Sequence, residues 1–314
     1  MAQAKLTASV IIPNFNHSAL VARAIGSVLD QGVDVSELIV IDDGSTDNSV
    51  AVIEAALQGH GNARLLRNET NHGTIATLNR GISEARGDFV LLAAADDIYL
   101  PGMLGSCLRA AELHPDTAFV CGTTMIEWAD GSLLRVPLPF GDTARHVPPE
   151  ELARYMRRQS IQFYTGGALL RREAIVAAGG LIPELRWHAD WLLDVVLALR
   201  HGFHHLPQDC SIMKHSPHSY SQGRHNWSRQ REILRTLITL LPDRYPDIAP
   251  LFRRTALLPS YNIAFMPTLL TDRKLRFYAT PLLLWRLCVY WPLQRASQIV
   301  PWWVRQKLRA YMRV

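Results

Sequence analysis

The sequence predicts an α/β fold with a doubly wound, mostly parallel sheet, followed by a helical C-terminal extension. Over the first two thirds of the chain, short apolar segments alternate with helical patterns. The early apolar segments are unbroken, as expected for parallel strands that are covered on both faces. Beyond Trp227 the strand patterns stop and only helical patterns remain.

Four strands and three helices are predicted before residue 100. The strands are 9–13, 37–41, 63–68 and 87–92, and the helices are 18–31, 46–57 and 74–85. Gly32 provides a stop for the first helix, and Thr46 or Asp47 provides a cap for the second. This β-α-β order predicts right-handed crossovers between parallel strands.

The later elements follow a less regular order. Gly166-Gly167 and Gly179-Gly180 predict turns, and residues 129–132 predict a hairpin turn after a strand. The remaining predictions are a strand over 118–128 and helices over 104–113, 150–157, 191–201, 228–241, 246–257, 275–285 and 301–313. We therefore expect a catalytic domain over 1–225 and a helical extension over 226–314.

Composition and charge narrow the functional class. The chain has 314 residues, 48% of them hydrophobic and 19% charged, which excludes a disordered or collagen-like protein. The net charge is +5, but the region from Trp227 onward holds 15 Lys and Arg against 4 Asp and Glu. Such asymmetry predicts an anionic partner. Because no nucleic-acid-binding module is recognisable, we expect a membrane surface and no nucleic acid.

The cysteines and the apolar runs predict a cytoplasmic protein. The four cysteines have no CxxC spacing, so we expect buried, reduced thiols rather than a zinc or redox site. The first apolar run, 8–13, is too short for a signal peptide, and no run reaches the length of a membrane span.

Three polar clusters follow predicted strands. They are Asn14–Asn16, Asp42–Ser45 and Asp96-Asp97. Open α/β sheets bind ligands beyond the carboxyl ends of their strands, so we expect these clusters to line one crevice.

Six motifs or single residues follow one another within the first hundred residues. They are Val10-Ile-Ile-Pro-Asn-Phe-Asn16, Val40-Ile-Asp-Asp-Gly-Ser45, Asn71-His-Gly73, Asn79, Gly87-Asp88 and Ala95-Asp96-Asp97. Together they resemble the family 2 glycosyltransferases with the GT-A fold. The resemblance covers about residues 6–220 and implies transfer of a sugar from a nucleotide-sugar donor, with a UDP-sugar favoured.

The resemblance also implies donor-binding residues. Asp42 would accept the N–H of a uracil-like base, Asp43 would support it, and Pro13 and Phe15 would form a wall of the base pocket. Helix capping is the alternative role for the two aspartates. The expected donor-binding set is Pro13, Phe15, Asp42, Asp43, Gly73, Asn79 and Asp96.

Asp96 and Asp97 are the expected metal-binding residues. Adjacent carboxylates repel unless a cation offsets their charge, and their oxygens suit Mg²⁺ or Mn²⁺. By resemblance Asp97 would bind the metal directly, with Asp96 on the ribose or the sugar. His215 is a further candidate metal ligand, and Lys214 a candidate phosphate contact. Ala94 stands where many relatives carry a third acid.

Asp190 is the expected catalytic base. It matches the aspartate of the family's Glu-Asp-Trp motif, although Ala189 replaces the glutamate. The alternative role is a helix cap. One base without a second nucleophilic acid implies a single displacement with inversion at the anomeric carbon.

The C-terminal region predicts contact with a membrane surface. Residues 275–314 contain 7 basic residues and no acidic one, together with Trp285, Trp291, Trp302 and Trp303. Arginine beside tryptophan suits the headgroup region of a bilayer. We therefore expect a peripheral protein at the cytoplasmic face acting on a glycan or a lipid-linked acceptor. A helical lid over the main domain is the alternative.

Two other functions share features of this sequence. Ala94 and Ala189 leave open a nucleotide-sugar-binding protein with little turnover. An NAD-dependent dehydrogenase is disfavoured, because Pro-Asn-Phe-Asn replaces a GxGxxG loop after the first strand.

Overall fold

A computed structural model describes residues 5–159, 161–215, 220, 223 and 226–290, with Val33 and Tyr290 described by their backbones alone. The first half of the chain forms four parallel strands in the order β3-β2-β1-β4. Their buried runs of Val, Ile and Leu explain the pairing, since both faces of each central strand are covered. The elements are β1 (Ala8–Asn14), α1 (Val21–Leu29), β2 (Glu37–Asp42), α2 (Ser49–Leu57), β3 (Ala63–Arg67), α3 (Thr74–Glu84) and β4 (Phe89–Leu92).

The second half extends this sheet with mixed pairing. The next elements are β5 (Ile98–Tyr99), α4 (Met103–Leu113), β6 (Phe119–Glu127), β7 (Leu133–Val136), β8 (Arg145–Val147), α5 (Pro149–Arg158), β9 (Ala168–Arg171), α6 (Arg172–Ala177), α7 (Ala189–His201) and β10 (Phe203–Lys214). The sheet continues β4-β9-β6-β10-β5, with β9 antiparallel to both neighbours and β10 parallel to β6. The parallel arrangement predicted from sequence thus describes the first four strands.

The predicted hairpin is confirmed between β6 and β7. The two strands pair antiparallel, and Gly131 takes a φ of 80° in the turn. The Ser132 N–H donates to the Asp130 carboxylate at 2.9 Å. A glycine at this position avoids the strain that other residues suffer at positive φ.

The chain divides into two compact units. The first draws on Met1–Pro148, Phe163–Pro183 and Ala189–Ser219, and contains the sheet. The second draws on Pro149–Gln162, Glu184–His188 and Tyr220–Val314. Within its described residues lie α5, α8 (Trp227–Arg244), α9 (Ala249–Thr255), α10 (Met266–Thr271), α11 (Pro281–Trp285) and a π-helical turn, Arg286–Tyr290. The second unit is therefore assembled from three separate stretches of sequence.

Arg286 holds the second unit together. Its side chain is 1% exposed, and its guanidinium donates to the carbonyls of Thr255 and Ala256 at 2.7 and 3.1 Å. It also donates to the Tyr261 hydroxyl at 2.9 Å and to the carbonyl of Met156 on α5. One arginine of the basic C-terminal region is thus an internal residue with several partners.

Two sequence predictions in this unit are wrong. A continuous helix over 275–285 does not form; a short turn at Arg276–Tyr278 precedes α11, which begins at Pro281. Proline has no N–H to continue a helix, and Thr280 caps the new one by accepting from the Leu283 N–H at 3.2 Å. Cys288 is exposed, whereas the other three cysteines are buried as expected.

Part of the predicted C-terminal region lies outside the described residues. This applies to the helix over 301–313 and to Trp291, Trp302 and Trp303. Trp285 is described and is exposed. Among the described helices, none combines the length and the apolar character that a bilayer crossing requires.

Candidate active site

The carboxyl ends of β1 and β2 meet through polar side chains. The Asn14 amide donates to one oxygen of Asp42 at 2.9 Å, and the Ser45 N–H donates to the other at 3.0 Å. The Ser45 hydroxyl in turn accepts from the N–H of Asn16 at 2.9 Å. The first two clusters predicted from sequence therefore come together at one edge of the sheet.

Asp43 organises the loop that precedes α3. Its carboxylate accepts from the Asn68 amide at 2.6 Å and from the N–H groups of His72 and Gly73 at 3.0 and 2.8 Å. Burial alone would raise the pKa of Asp43, but these hydrogen bonds hold it below its ordinary value. Gly73 adopts a φ of 89°, so glycine is needed where the backbone turns into the helix.

Phe15 and Pro13 lie at the end of β1. Phe15 is 40% exposed, which is unusual for a large aromatic side chain beside a polar loop, and Pro13 is half-buried. An exposed ring at this edge could stack on a flat ligand. Their role as a wall of the base pocket stays a prediction.

Asn79 clamps a distant loop. Its side-chain amide donates to the carbonyl of Leu181 at 2.8 Å and accepts from the N–H of Leu181 at 2.9 Å. This reciprocal pair fixes the turn at Gly179-Gly180 against α3. The donor-binding role of Asn79 stays a prediction, and its oxygen and one N–H already have a protein partner.

Asp96 and Asp97 follow β4, the strand that neighbours β1. Asp97 is only 7% exposed, whereas Asp96 is half-buried. Burial and the neighbouring Asp96 carboxylate raise the pKa of Asp97 to about 8. The backbone N–H of Lys214, at the end of β10, donates to Asp97 at 3.1 Å. Lys214 thus contacts the acid pair through its backbone.

The acid pair fits a hard divalent cation. Two adjacent carboxylates, one of them nearly buried, form a site that a positive ion would stabilise, and oxygen donors suit Mg²⁺ or Mn²⁺. The rest of the coordination sphere would come from water and donor phosphates. Within the described part of the chain, no three His, Cys, Asp or Glu side chains are arranged to hold a metal.

His215 therefore does not complete a preformed three-residue site with Asp96 and Asp97. Its ring packs against Trp128, with centroids 4.5 Å apart, and its backbone N–H donates to the Glu127 carbonyl at 2.8 Å. It follows Lys214 directly along the chain. Its role as a metal ligand stays a prediction.

Asp190 lies in the first turn of α7. Its carboxylate accepts from the N–H of Trp191 at 2.7 Å. Some of the residue is exposed, but the dense protein around the carboxyl raises its pKa to about 6. Asp190 is therefore partly accessible and more basic than an ordinary aspartate. Its role as the catalytic base stays a prediction.

Asp194 is a buried acid that the sequence reasoning missed. It lies one turn after Asp190, is fully buried, and accepts from the Thr165 hydroxyl at 2.8 Å. Burial, followed by the charge of Asp190, raises its pKa well above the ordinary value. The signal was an aspartate within the Leu- and Val-rich stretch of α7, where an unpaired charge is unfavourable.

Comparison with known proteins identifies the family. The family model for "Glycosyl transferase family 2" matches residues 9–179. Among curated proteins, the succinoglycan biosynthesis protein ExoU of Rhizobium meliloti is 38% identical over 32% of this chain and 29% of its own length. The glycosyltransferase GlyG of Streptococcus pneumoniae is 32% identical over 48% of this chain and 50% of its own length. The matches thus span half or less of these two relatives.

Solved structures support the same fold. TarS 1-349 from S. aureus in complex with UDP-GlcNAc matches with a TM-score of 0.63 at 18% identity, over 94% of this chain and 82% of that chain. The mannosyltransferase PcManGT from Pyrobaculum calidifontis, in complex with GDP-Man and Mn²⁺, matches with a TM-score of 0.54 at 16% identity, over 99% and 86%. The GT-A fold expected from the motifs is confirmed. Because the family model spans more than half of the sequence, the chain belongs to glycosyl transferase family 2.

Proposed function

We propose that the chain is an inverting glycosyltransferase that moves a sugar from a nucleotide-sugar donor to a hydroxyl of a glycan or a lipid-linked acceptor. The observation that carries the proposal is the placement of Asp97, nearly buried beside Asp96 at the carboxyl end of β4. The Lys214 backbone N–H donates to Asp97, and a pair of adjacent carboxylates suits a donor diphosphate with its cation.

Each candidate residue receives a role in this proposal. The edge formed by β1 and β2 would hold the nucleotide, with Asp42 on the base, Asp43 fixing the adjoining loop, and Pro13 and Phe15 beside the ring. Gly73 would allow close approach of the donor, and Asn79 would hold the loop behind α3. Asp96 would contact the ribose or the sugar, and Asp97, with His215 as a further candidate, would hold Mg²⁺ or Mn²⁺.

The reaction would be a single displacement. Asp190 would accept the proton of the acceptor hydroxyl while that oxygen forms a bond to the anomeric carbon. The bond from this carbon to the diphosphate oxygen would break on the opposite face, and its electron pair would leave with the diphosphate, which inverts the configuration. A bound cation would offset the negative charge of the leaving diphosphate.

The donor is proposed to be a UDP-sugar. The structure of TarS bound to UDP-GlcNAc supports this choice, and the GDP-Man complex of PcManGT keeps GDP-sugars as the second candidates. A relative from Campylobacter jejuni, 32% identical over 38% of this chain, is named for glucosyl transfer to an undecaprenol-linked glycan, which supports a lipid-linked acceptor. In this proposal residues 1–225 bind donor and acceptor, and residues 226–314 place the enzyme at the cytoplasmic face of the membrane.

A screen of nucleotide sugars with and without Mn²⁺ tests the proposal. A donor that binds the folded state should raise the unfolding temperature, and acceptor-dependent release of the nucleoside diphosphate should follow. The change Asp97→Ala should abolish the Mn²⁺-dependent shift and the transfer, while the unfolding temperature without ligand stays close to that of the unaltered protein.

Asp116→Ala is the matched control, because Asp116 is an exposed acid of the same unit. It should behave like the unaltered protein in both measurements. Full activity in the Asp97→Ala variant would refute the metal-binding role.

The second candidate is a nucleotide-sugar-binding protein with little turnover. Ala94 and Ala189 favour it, because both stand where an acid is expected. A donor that stabilises the protein but is never consumed, with any acceptor glycan offered, would support this alternative.

A further inference from the structure

A run of exposed apolar side chains marks the second unit. Of the large apolar residues that are exposed in the described chain, five lie between residues 263 and 289: Ile263, Leu270, Phe277, Trp285 and Val289. Phe277 is 61% exposed and Leu270 is 43% exposed. Exposed apolar side chains that lie together often mark a site where a protein contacts a partner or a membrane.

Two arginines join Leu270 and Phe277 into one surface. The Arg253 guanidinium lies 4.4 Å above the Phe277 ring, and its Nε donates to the Phe277 carbonyl at 2.8 Å. The Nε of Arg276 donates to the carbonyl of Leu270 at 2.6 Å. We define the basic–apolar surface as Arg253, Leu270, Arg273, Lys274, Arg276 and Phe277, all of which are exposed.

This surface is rich in positive charge, and the stretch of sequence that supplies it is poor in acids. Asp272 is the sole acidic residue in the sequence between 248 and 290. It is paired with Arg235 of the same unit at 2.7 Å. The four cations of the surface are exposed, as are the phenyl ring of Phe277 and the aliphatic side chain of Leu270.

We infer that the basic–apolar surface is the part of the protein that lies on an anionic lipid bilayer. Cations beside apolar side chains match the headgroup region, where phosphates and acyl chains are both within reach. Nucleic acid fits less well, because exposed aliphatic groups such as Leu270 gain nothing from a phosphate backbone. The sequence after residue 290 continues the same composition, with five basic residues, three tryptophans and no acid. The inference deepens the proposed function and depends on it for the lipid-linked acceptor.

Sedimentation of the full chain with phosphatidylcholine vesicles, with and without phosphatidylglycerol, tests the inference. We expect binding only to the anionic vesicles, and weaker binding as salt is added. The variant Arg273→Gln/Lys274→Gln should lower the affinity by roughly 30-fold, since each cation near an anionic leaflet contributes about fivefold. The variant Leu270→Ser/Phe277→Ser should lower it by about tenfold or more.

The matched control is Leu113→Ser/Val176→Ser, which removes two exposed apolar side chains from the first unit. It should bind vesicles like the unaltered chain. Arg253 stacks on Phe277, so the apolar variant loses a packing contact and its unfolding temperature must be measured beside its vesicle binding. The charge variant should unfold at the same temperature as the unaltered chain, so a loss of vesicle binding in that variant reports on the surface alone.

Three outcomes would overturn the inference. They are no binding of the full chain to anionic vesicles, equal binding by the charge variant, and binding of an RNA oligonucleotide with loss of vesicle binding in competition. Donor-induced stabilisation is measured in the same variants and should be unchanged. Vesicle binding without any donor response would refute the proposed function alone, and a donor response without vesicle binding would refute this inference alone.

Discussion

Asp190 and Asp194 are two acids on one helix with opposite expected behaviour. The pKa of Asp190 is raised to about 6, whereas burial and the charge of Asp190 raise the pKa of Asp194 well above its ordinary value. Asp190 is partly exposed and can accept a proton from a bound hydroxyl, whereas Asp194 is enclosed and accepts a hydrogen bond from the Thr165 hydroxyl. This difference gives a matched pair of variants.

The change Asp190→Asn should keep donor binding and lower the transfer rate by a factor of about 10² to 10⁴, the usual contribution of a general base. Asp194→Asn should leave the rate within a few-fold, because asparagine has the same size and keeps an oxygen that can accept from the Thr165 hydroxyl. The transfer rate of the unaltered enzyme should rise from pH 5 to pH 7 and level off, since Asp190 must lose its proton at about pH 6.

Steady-state rates across this pH range, with donor affinity from thermal shifts, check the prediction. If Asp190→Asn loses donor binding and stability together, the residue is a structural cap of α7. If Asp190→Asn and Asp194→Asn lose activity equally, the prediction that Asp190 alone acts as the base is wrong.

The motifs were sufficient to place Asp42, Asp43, Asp97 and Asp190 at strand or helix ends, because local pattern determines where an element stops. They could not show that the Asn79 side chain forms hydrogen bonds with the backbone of Leu181. That pairing joins residues 102 positions apart in the sequence and follows only from the packing of α3 against a distant loop.

At the scale of elements, the sequence predicted the first four strands well and the later sheet less well. The unbroken apolar runs of β1, β2 and β4 are typical of parallel strands in a sheet that is covered on both faces, and these strands do pair parallel. Short β9 offers no such signal, and its antiparallel pairing with β4 and β6 depends on the return path of the chain.

A cluster of imidazoles links three of these elements. His204 on β10 lies near His114, which follows α4, with ring centroids 4.6 Å apart. His146 on β8 and the adjacent His205 complete the group, and positive charge on any of these rings disfavours protonation of His204. Burial, followed by these histidines, lowers the pKa of His204 to about 4.

This cluster predicts loss of stability in acid. In the unfolded chain His204 gains a proton near pH 6.5, whereas in the folded chain it resists protonation until about pH 4, so the unfolded state binds more protons in between. The free energy of unfolding should fall by roughly 2–3 kcal/mol as the pH drops through this window.

Denaturant unfolding at pH 7 and pH 4.5 measures the effect. His204→Gln cannot titrate and should lose less stability between the two values, whereas the exposed control His60→Gln should fall as steeply as the unaltered chain. Equal slopes for all three proteins would show that the cluster does not control acid stability.

At the scale of the whole chain, the second unit is discontinuous in sequence. Its helix α5 buries Leu152 and Met156 and packs against α9, while Arg286 binds the Met156 carbonyl. The sequence patterns predicted a separable extension beginning near residue 226. The periodicity of a single helix shows which of its faces is apolar, but it does not show which distant segment packs against that face. A boundary near residue 225 therefore separates the later helices from residues 149–162, which belong to the same compact unit.

Two shortened chains test this organisation. A chain ending at residue 221 would leave the apolar face of α5 uncovered, and we expect it to aggregate or to bind a hydrophobic dye strongly. A chain ending at residue 290 retains Arg286 and should unfold within a few degrees of the full chain. A well-folded monomer from the shorter chain, without dye binding, would show that α5 does not need the later helices.

The discontinuity also has a consequence for biosynthesis. Met156 and Arg286 are 130 positions apart, so α5 leaves the ribosome long before the arginine that binds its carbonyl. At roughly 5–20 residues per second, the delay is on the order of ten seconds. During that interval the nascent chain presents the uncovered Leu152 and Met156 to any chaperone nearby. Slowing translation after α5 should lengthen this exposure, so the yield of native protein should depend on synthesis rate.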